Sequence, residues 1–277
     1  MAGNGWKLAG NCWNVLKTFA GNLEVKKQKT IYFQYIMDSN QILLQGNCLD
    51  VLDSIDTNKV QLIIADLPYG QTDNEWDVKI NLEELWTKLK RVATNNCAYI
   101  FFTTTRFGYD LICSNPTWFR YDLVWNKIKP AGFLNAKKQP MRSHEMLYVF
   151  YDKLPTYNIY DNHKLVSSTS NGNPTNSTCY SNPDIKKMRT VYEPRLPQSV
   201  LDFEAMNTRK HRDHPTQKPI ELLEWLIKYY SNEGDTILDP TCGSGSTLVA
   251  CQNLNRNGIG IELDPLYYNT AKNRLGL

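Results

Sequence analysis

An open α/β fold, with a mostly parallel sheet and helices on both faces, is predicted by three stretches of this 277-residue chain. Gln61-Leu62-Ile63-Ile64-Ala65 is a continuous apolar run of strand length, the pattern of a strand buried on both faces. Thr236-Ile237-Leu238 reads as another buried strand. A turn carrying Gly243 and Gly245 joins it to a helix that begins near Leu248. Asn257-Gly258-Ile259-Gly260-Ile261 is a third strand, closed by Glu262 and Leu263. Strand, glycine turn, helix and acid-ended strand, in that order, is how doubly wound α/β sheets hold a nucleotide-like ligand.

The other elements follow in order. Residues 1–40 have a ragged apolar face (Trp6, Leu8, Trp13, Val15, Leu16, Phe19) interrupted by Lys26, Lys27 and Lys29. They suit a peripheral helix, an oligomer contact or an extension, and no chemistry is assigned to them. Residues 41–46 read as a short strand and 50–55 as a helical turn. Residues 81–91 place Leu82, Leu85, Trp86 and Leu89 at a helical period. Strands are expected at 97–102, 121–125 and 145–150. Between the last two lies a basic loop with Lys127, Lys129, Lys137, Lys138 and Arg142.

From Tyr151 to about Arg212 the composition turns to Asn, Ser, Thr, Tyr and Pro without a period. Lys186, Lys187, Arg189, Arg195, Arg209, Lys210 and Arg212 supply positive charge. The stretch is either a solvated irregular insertion or a segment that reads DNA. Lys and Arg neutralise phosphates, while Asn, Gln, Ser and Arg can contact base edges. His214-Pro215-Thr216-Gln217-Lys218-Pro219 then opens a helix whose apolar face is Ile220, Leu222, Leu223, Leu226 and Ile227, with Gly234 at its end. A last helix carries Leu266, Tyr267, Ala271 and Leu275.

Composition narrows the classes. A net charge of +3 permits nucleic-acid binding without arguing for it, so local basic clusters matter more. Sixteen Tyr and seven Trp supply either ordinary core or stacking surface for bases. Seven scattered cysteines and four histidines, none at metal-ligand spacing, disfavour a disulfide framework and a zinc site. No metal is expected. No apolar run approaches a membrane span and no secretory signal is visible, so a cytoplasmic protein without membrane contact is expected.

Two stretches carry chemistry. Glycines in Asp239-Pro240-Thr241-Cys242-Gly243-Ser244-Gly245-Ser246-Thr247 serve either tight packing or the close approach of a ligand. The following helix offers unpaired N–H groups and a positive dipole end. Glu262, about twenty residues on, stands where an acid accepts hydrogen bonds from ribose hydroxyls. The turn lacks the lysine of a phosphate-binding loop, which suits a nucleoside without a triphosphate, such as adenosine bearing a sulfonium.

The second stretch, Asp66-Leu67-Pro68-Tyr69, follows the 61–65 strand, and strand ends are where open α/β sheets bind ligands. It is either an ordinary turn or a site for methylating an exocyclic amine. Such an amine is a poor nucleophile because its lone pair is delocalised into the ring. A carboxylate (Asp66) and a backbone carbonyl (Leu67 or Pro68) that accept its two hydrogens favour a pyramidal nitrogen. An aromatic ring (Tyr69) can stack on the extruded base. Positioning and electrostatics then suffice, with no covalent enzyme intermediate.

The glycine turn resembles motif I of the S-adenosylmethionine-dependent DNA amino-methyltransferases. Asp66 to Tyr69 resembles their motif IV, commonly Asp-Pro-Pro-Tyr, with Leu67 where the first proline is usual. Trp125-Asn126-Lys127 and His144-Glu145 look like later motifs, and His214 to Pro219 is similar to motif X. The order, motif IV, basic insertion, motif X and then motif I, is the circular permutation of the β group, and the likeness runs from about Gln41 onward. It implies a Rossmann-like methyltransferase fold with a mostly parallel seven-stranded sheet. In it, the strand at 41–45 lies beside the strand that ends at Glu262. The family usually has Gly-Asp at the cofactor's adenine ring; here Gly46-Asn47 stands there, with Asp50 as an alternative contact.

The resemblance implies S-adenosylmethionine as cofactor and adenine N6 of a flipped base in double-stranded DNA as acceptor. Aspartate in first position is more typical of adenine members, serine of cytosine-N4 members. Cytosine-N4 methylation and a silent DNA-binding subunit are the alternatives. On this reading Asp66 and Pro68 hold the amino group and Tyr69 stacks on the base. Asn47, Asp239, Pro240, Thr241, Gly243, Gly245, Ser246, Thr247, Glu262 and Leu263 shape the cofactor pocket, and Thr216 and Lys218 support its methionine end. Lys127, Lys137, Lys138, Arg142, Lys186, Lys187, Arg189, Arg209 and Arg212 contact DNA. Residues 41–150 and 213–277 become the catalytic and cofactor-binding halves of one domain, and 151–212 its target-recognition insertion. A homodimer and a cognate restriction endonuclease are the further partners the family allows, in a bacterial, archaeal or phage-infected cell.

Overall fold

The computed structural model of the chain describes residues 35–38, 40–70, 79–159, 161–171, 187–205 and 217–277. The strands are β1 (Tyr35–Asp38), β2 (Gln41–Gln45), β3 (Val60–Ala65), β4 (Ala93–Thr103), β5 (Phe119–Ala131), β6 (Arg142–Phe150), β7 (Lys164–Asn171), β8 (Lys187–Glu193), β9 (Val200–Asp202), β10 (Thr236–Asp239) and β11 (Asn257–Glu262). The helices are α1 (Cys48–Leu52), α2 (Leu82–Val92), α3 (Thr105–Ser114), α4 (Ile220–Tyr230), α5 (Ser246–Asn253) and α6 (Pro265–Leu275).

Among the described residues nine strands form one sheet in the order β1-β2-β11-β10-β3-β4-β6-β5-β9. From β2 to β4 every neighbouring pair is parallel. β6 runs antiparallel between β4 and β5. The strands from β2 to β5 are the expected seven-stranded, mostly parallel sheet. At its edges β1 adds antiparallel to β2 and β9 adds parallel to β5; β1 overlaps a strand-sized apolar run near Ile31 to Met37 in the sequence, while no strand was expected at β9. β2 pairs with β11 as the permuted order requires, with Ile42 opposite Ile259.

Helices cover both faces. α1, α2 and α3 bury Val51, Leu85, Leu89 and Phe107 against Ile63, Ala65, Tyr99 and Phe101. α4 and α5 bury Leu223, Leu226 and Ala250 against Leu62, Ile64 and Ile100 on the other face. The alternation of Leu62/Ile64 with Ile63/Ala65 shows why the 61–65 run is apolar throughout: both faces of β3 are core. α2 forms where the apolar period predicts it. Asn81 caps it by accepting from the Glu84 N–H at 3.2 Å, acids fill its first turn, and Lys90 and Arg91 its last.

Three elements differ from expectation. The last helix buries Tyr268, Ala271 and Leu275, while Leu266 is 68% exposed. Asp264 caps this helix and Pro265 starts it, so Leu266 falls in the first turn on the side away from the sheet. α4 begins after Pro219, which is its cap rather than its first residue, and Gly234 lies beyond it in the turn before β10. The basic loop is shorter than the charges suggested. β5 continues to Ala131 opposite Arg142, which puts Lys127 and Lys129 on a strand and leaves a short 3-10 turn at Phe133–Asn135 in the connection.

In the 151–212 stretch, β7 and β8 form a separate antiparallel pair. Before them His163 Nε2 lies 2.7 Å from the Tyr229 hydroxyl of α4, and after them β9 joins the main sheet. Among the described residues no helix is long and apolar enough to cross a membrane.

Candidate active site

β10 and β3 are parallel neighbours, and the chain winds away from them in opposite directions, to β11 through α5 and to β4 through α2. The winding reverses between them, and open α/β sheets bind ligands in the crevice outside the carboxyl ends of the strands at such a point. Asp239 ends β10 and Asp66 follows β3, so both chemistry-bearing stretches meet at this edge. The Thr241 hydroxyl donates to the Asp66 carbonyl at 3.1 Å and ties them together.

The glycine turn is braced from within. Asp239 accepts from the Thr241 N–H at 3.1 Å and from the Thr247 hydroxyl at 2.5 Å. Burial pushes its carboxyl up to about 7 in spite of these bonds. Gly243, at φ +54, donates its N–H to Glu262 Oε2 at 2.8 Å, and Glu262 Oε1 accepts from the Asp264 N–H at 2.8 Å. Glu262 thus clamps the turn to the end of β11, and burial raises its carboxyl above the usual range. Gly245 has φ +77, and a Cβ there would stand 2.9 Å from the Ala271 Cβ. Packing against α6 therefore requires this glycine. Pro240, Ser246 and Thr247 are buried, and Leu263 is exposed. Asn47 caps α1 by accepting from the Leu49 N–H at 2.9 Å.

Asp66 is held on both oxygens. The Tyr69 hydroxyl donates to Oδ1 at 2.5 Å, and Lys218 Nζ donates to Oδ2 at 2.7 Å. The Tyr69 ring packs on Phe107 of α3, with centroids 4.9 Å apart. Burial and the Asp66 charge hold the Tyr69 hydroxyl far above its ordinary range, so it remains a donor. Leu67, which replaces the usual proline, is 2% exposed and belongs to the core beneath α1 to α3. Pro68 is half-buried beside it.

Lys218, expected near the methionine end of a cofactor, is engaged by Asp66 and lies 3.2 Å from Glu145 Oε2. Lys127, expected on DNA, turns inward and pairs with Glu145 Oε1. Burial alone would raise the Glu145 carboxyl, but Lys218 and Lys127 outweigh it and bring it down to about 2. Burial likewise opposes the Lys218 charge, and Asp66 and Glu145 reverse this, holding the ammonium above the usual lysine range. Glu145 is the residue that sequence reasoning quoted without giving it a role; its position after His144 at the start of a strand was the available signal.

Lys137 and Lys138 are exposed on the β5–β6 connection, and Arg142 is exposed at the start of β6, its Nε donating to the His144 carbonyl at 3.2 Å. Lys187 and Arg189 lie on β8, opposite Asn171 and Thr169. Lys186, Arg209, Arg212 and Thr216 lie outside the described residues. Among the described residues no group of three His, Cys, Asp or Glu side chains could hold a metal ion.

Known proteins share this architecture. The Type II methyltransferase M.HpaI of Haemophilus parainfluenzae is 29% identical, over 85% of this chain and 74% of its own length. The DNA adenine methyltransferase YhdJ of Escherichia coli (strain K12) is 25% identical, over 84% of this chain and 82% of its own. The crystal structure of the M1.HpyAVI-SAM complex superposes with a TM-score of 0.57 at 22% identity, covering 85% of this chain and 98% of that one. The model of the DNA methylase family matches residues 60–273, and with the crevice, the glycine turn and the acid in place, the chain belongs to that family.

Proposed function

We propose that this DNA methylase transfers the methyl group of S-adenosylmethionine to N6 of an adenine flipped out of double-stranded DNA. One observation carries the reading: the Thr241–Asp66 bond sets the acid and the glycine turn side by side at the strand ends. The turn's residues suit the cofactor. Glu262 presents a carboxylate for ribose hydroxyls, and residues 239–247 include no lysine or arginine for a phosphate chain. When bound, S-adenosylmethionine supplies an electrophilic methyl group on a sulfonium.

The chain's own residues prepare the amine. Asp66 Oδ1 is the acceptor for one amino hydrogen, and the carbonyl of Leu67 or Pro68 is the acceptor for the other. In the resting site the Tyr69 hydroxyl occupies Oδ1. An entering amino group displaces that hydroxyl and leaves the Tyr69 ring, backed by Phe107, to stack on the base. Lys137, Lys138 and Arg142 contact phosphates, and residues 151–212 select the sequence. The name of YhdJ supports adenine as the base, as does the aspartate at position 66. The cytoplasm is the proposed setting, with a second copy of the chain and a cognate endonuclease as proposed partners.

Incubation with methyl-labelled S-adenosylmethionine and unmethylated genomic DNA, followed by nucleoside analysis, tests this. Label is expected in N6-methyladenine. Label in N4-methylcytosine would move the base assignment while keeping the site. Cofactor binding with no label in DNA would sink the proposal.

A further inference from the structure

Three stretches without an assigned catalytic task meet at one point. Lys127 comes from β5, Glu145 from β6 and Lys218 from the segment before α4, and together they form a chain of ion pairs that ends on Asp66 after β3. The four side chains are mostly buried, with exposures of 17% for Lys127, 22% for Glu145, 11% for Lys218 and 24% for Asp66. Their charges alternate along the chain of contacts, Lys127, Glu145, Lys218, Asp66, and sum to zero. Buried charges persist only when each is paired, so removing one member strands its neighbour.

Two details give the cluster a direction. Lys218 Nζ sits at full hydrogen-bond distance from Asp66 Oδ2, 2.7 Å, yet among the described residues no donor is aligned on the buried Glu145 Oε2 3.2 Å away. The same ammonium lies 5.0 Å from the centre of the Phe102 ring, which limits where it can move. Lys218 therefore bonds Asp66 Oδ2 directly and holds Glu145 Oε2 as a looser ion-pair partner.

We infer that Lys218 is a positioning residue for Asp66, steered by Glu145 and Lys127. It pins Oδ2 so that Oδ1 faces the incoming amino group. Glu145, fixed by Lys127, keeps the ammonium on the Asp66 side of the crevice and takes up its bond when Asp66 shifts toward the base. Lys218 thus acts on the acceptor carboxylate and not on the methionine end of the cofactor. The inference rests on the methyl-transfer reading above.

The test uses the full-length protein, methyl-labelled S-adenosylmethionine and unmethylated DNA, with Glu145→Gln, Lys218→Met and the double variant. Single-turnover rate and cofactor Kd are measured separately. The expected result is a rate at least about tenfold lower in each single variant, with cofactor Kd within about threefold of the wild type. The double variant is expected to be no slower than Lys218→Met, because the two residues act as one unit.

Weakened cofactor binding with an unchanged rate would overturn the inference, and so would losses that simply multiply in the double variant. If Lys218→Met fails to fold by circular dichroism, Lys218→Arg replaces it and the same split between rate and Kd decides. Wild-type protein that binds cofactor but methylates no DNA sinks the proposed function; wild-type turnover with an unaffected Glu145→Gln sinks only this inference.

Discussion

Tyr69 and Asp66 are bonded to each other, hydroxyl to Oδ1 at 2.5 Å, so the hydroxyl occupies the oxygen that the proposed mechanism offers to the substrate's amino group. Its hydroxyl is then a competitor and its ring the useful part. Tyr69→Phe should keep methylation within about threefold of wild type, because the stacking surface survives. Tyr69→Ala should lower DNA methylation by about 1–3 kcal/mol of lost stacking, roughly five- to 160-fold. Initial rates at subsaturating DNA distinguish the two; equal losses would show that the hydroxyl is needed.

The bond from Thr241 to the Asp66 carbonyl predicts coupling between the two halves of the crevice. Thr241→Val keeps the shape and removes the donor. A neutral bond of this kind contributes about 1 kcal/mol, so kcat/KM should fall roughly fivefold for both DNA and cofactor. A loss confined to one substrate would mean that the bond does not align the halves.

Asp239 gives stability an unusual pH dependence. Its folded-state carboxyl is raised from 3.8 to about 7, so between those values the folded protein holds a proton that the unfolded chain has lost. Stability attributable to this group therefore decreases as pH rises through the window, by at most about 1.4 kcal/mol per pH unit, and levels off above it. Glu145 has the opposite sign. Its carboxyl falls from 4.5 to about 2, so its contribution is present above the upper value and lost as pH drops toward the lower. Urea midpoints measured between about pH 5 and pH 7 should decline for the wild type and be flatter for Asp239→Asn.

Charge direction predicts which lysines salt will reveal. Lys137 and Lys138 are exposed, whereas Lys127 is paired with Glu145. Replacing Lys137 and Lys138 by Ala should reduce the slope of log K against log salt for DNA binding by about 1 to 2, at roughly 0.9 per phosphate contact. Lys127→Met should leave that slope unchanged and act on the methylation rate instead. A slope change in Lys127→Met would place it on DNA.

The sheet was legible because its strands are short apolar runs bounded by glycine, proline or acids, and β3 reads as buried on both faces from five residues alone. β9 was not, since an edge strand of three residues carries no period, and β1 was visible only as a short apolar run without a role. The α6 face was misread at Leu266 because periodicity shows that a helix has an apolar side but not which turn first touches the sheet. At the site, Asp66, Tyr69 and the glycine turn announce themselves as local patterns. The Lys218 pairing does not, because its partner Asp66 lies 152 positions away. Lys127 reads as a surface cation until β6 sets Glu145 beside it. Spacing in sequence reports what one element can do, whereas ion pairs form between elements that meet only in the fold.

Gln41, on β2, donates its side-chain amide to the Arg256 carbonyl, 215 positions later. On the ribosome β2 is therefore made more than two hundred residues before its parallel partner β11 is complete. Until β11 emerges that apolar strand has one edge open. Parallel pairing across so long a stretch is slow and leaves an aggregation-prone edge in the interval. A permuted order that leaves the crevice intact in the finished protein thus moves the risk into its birth, where a holdase on the nascent chain, or slower translation, has the most to protect.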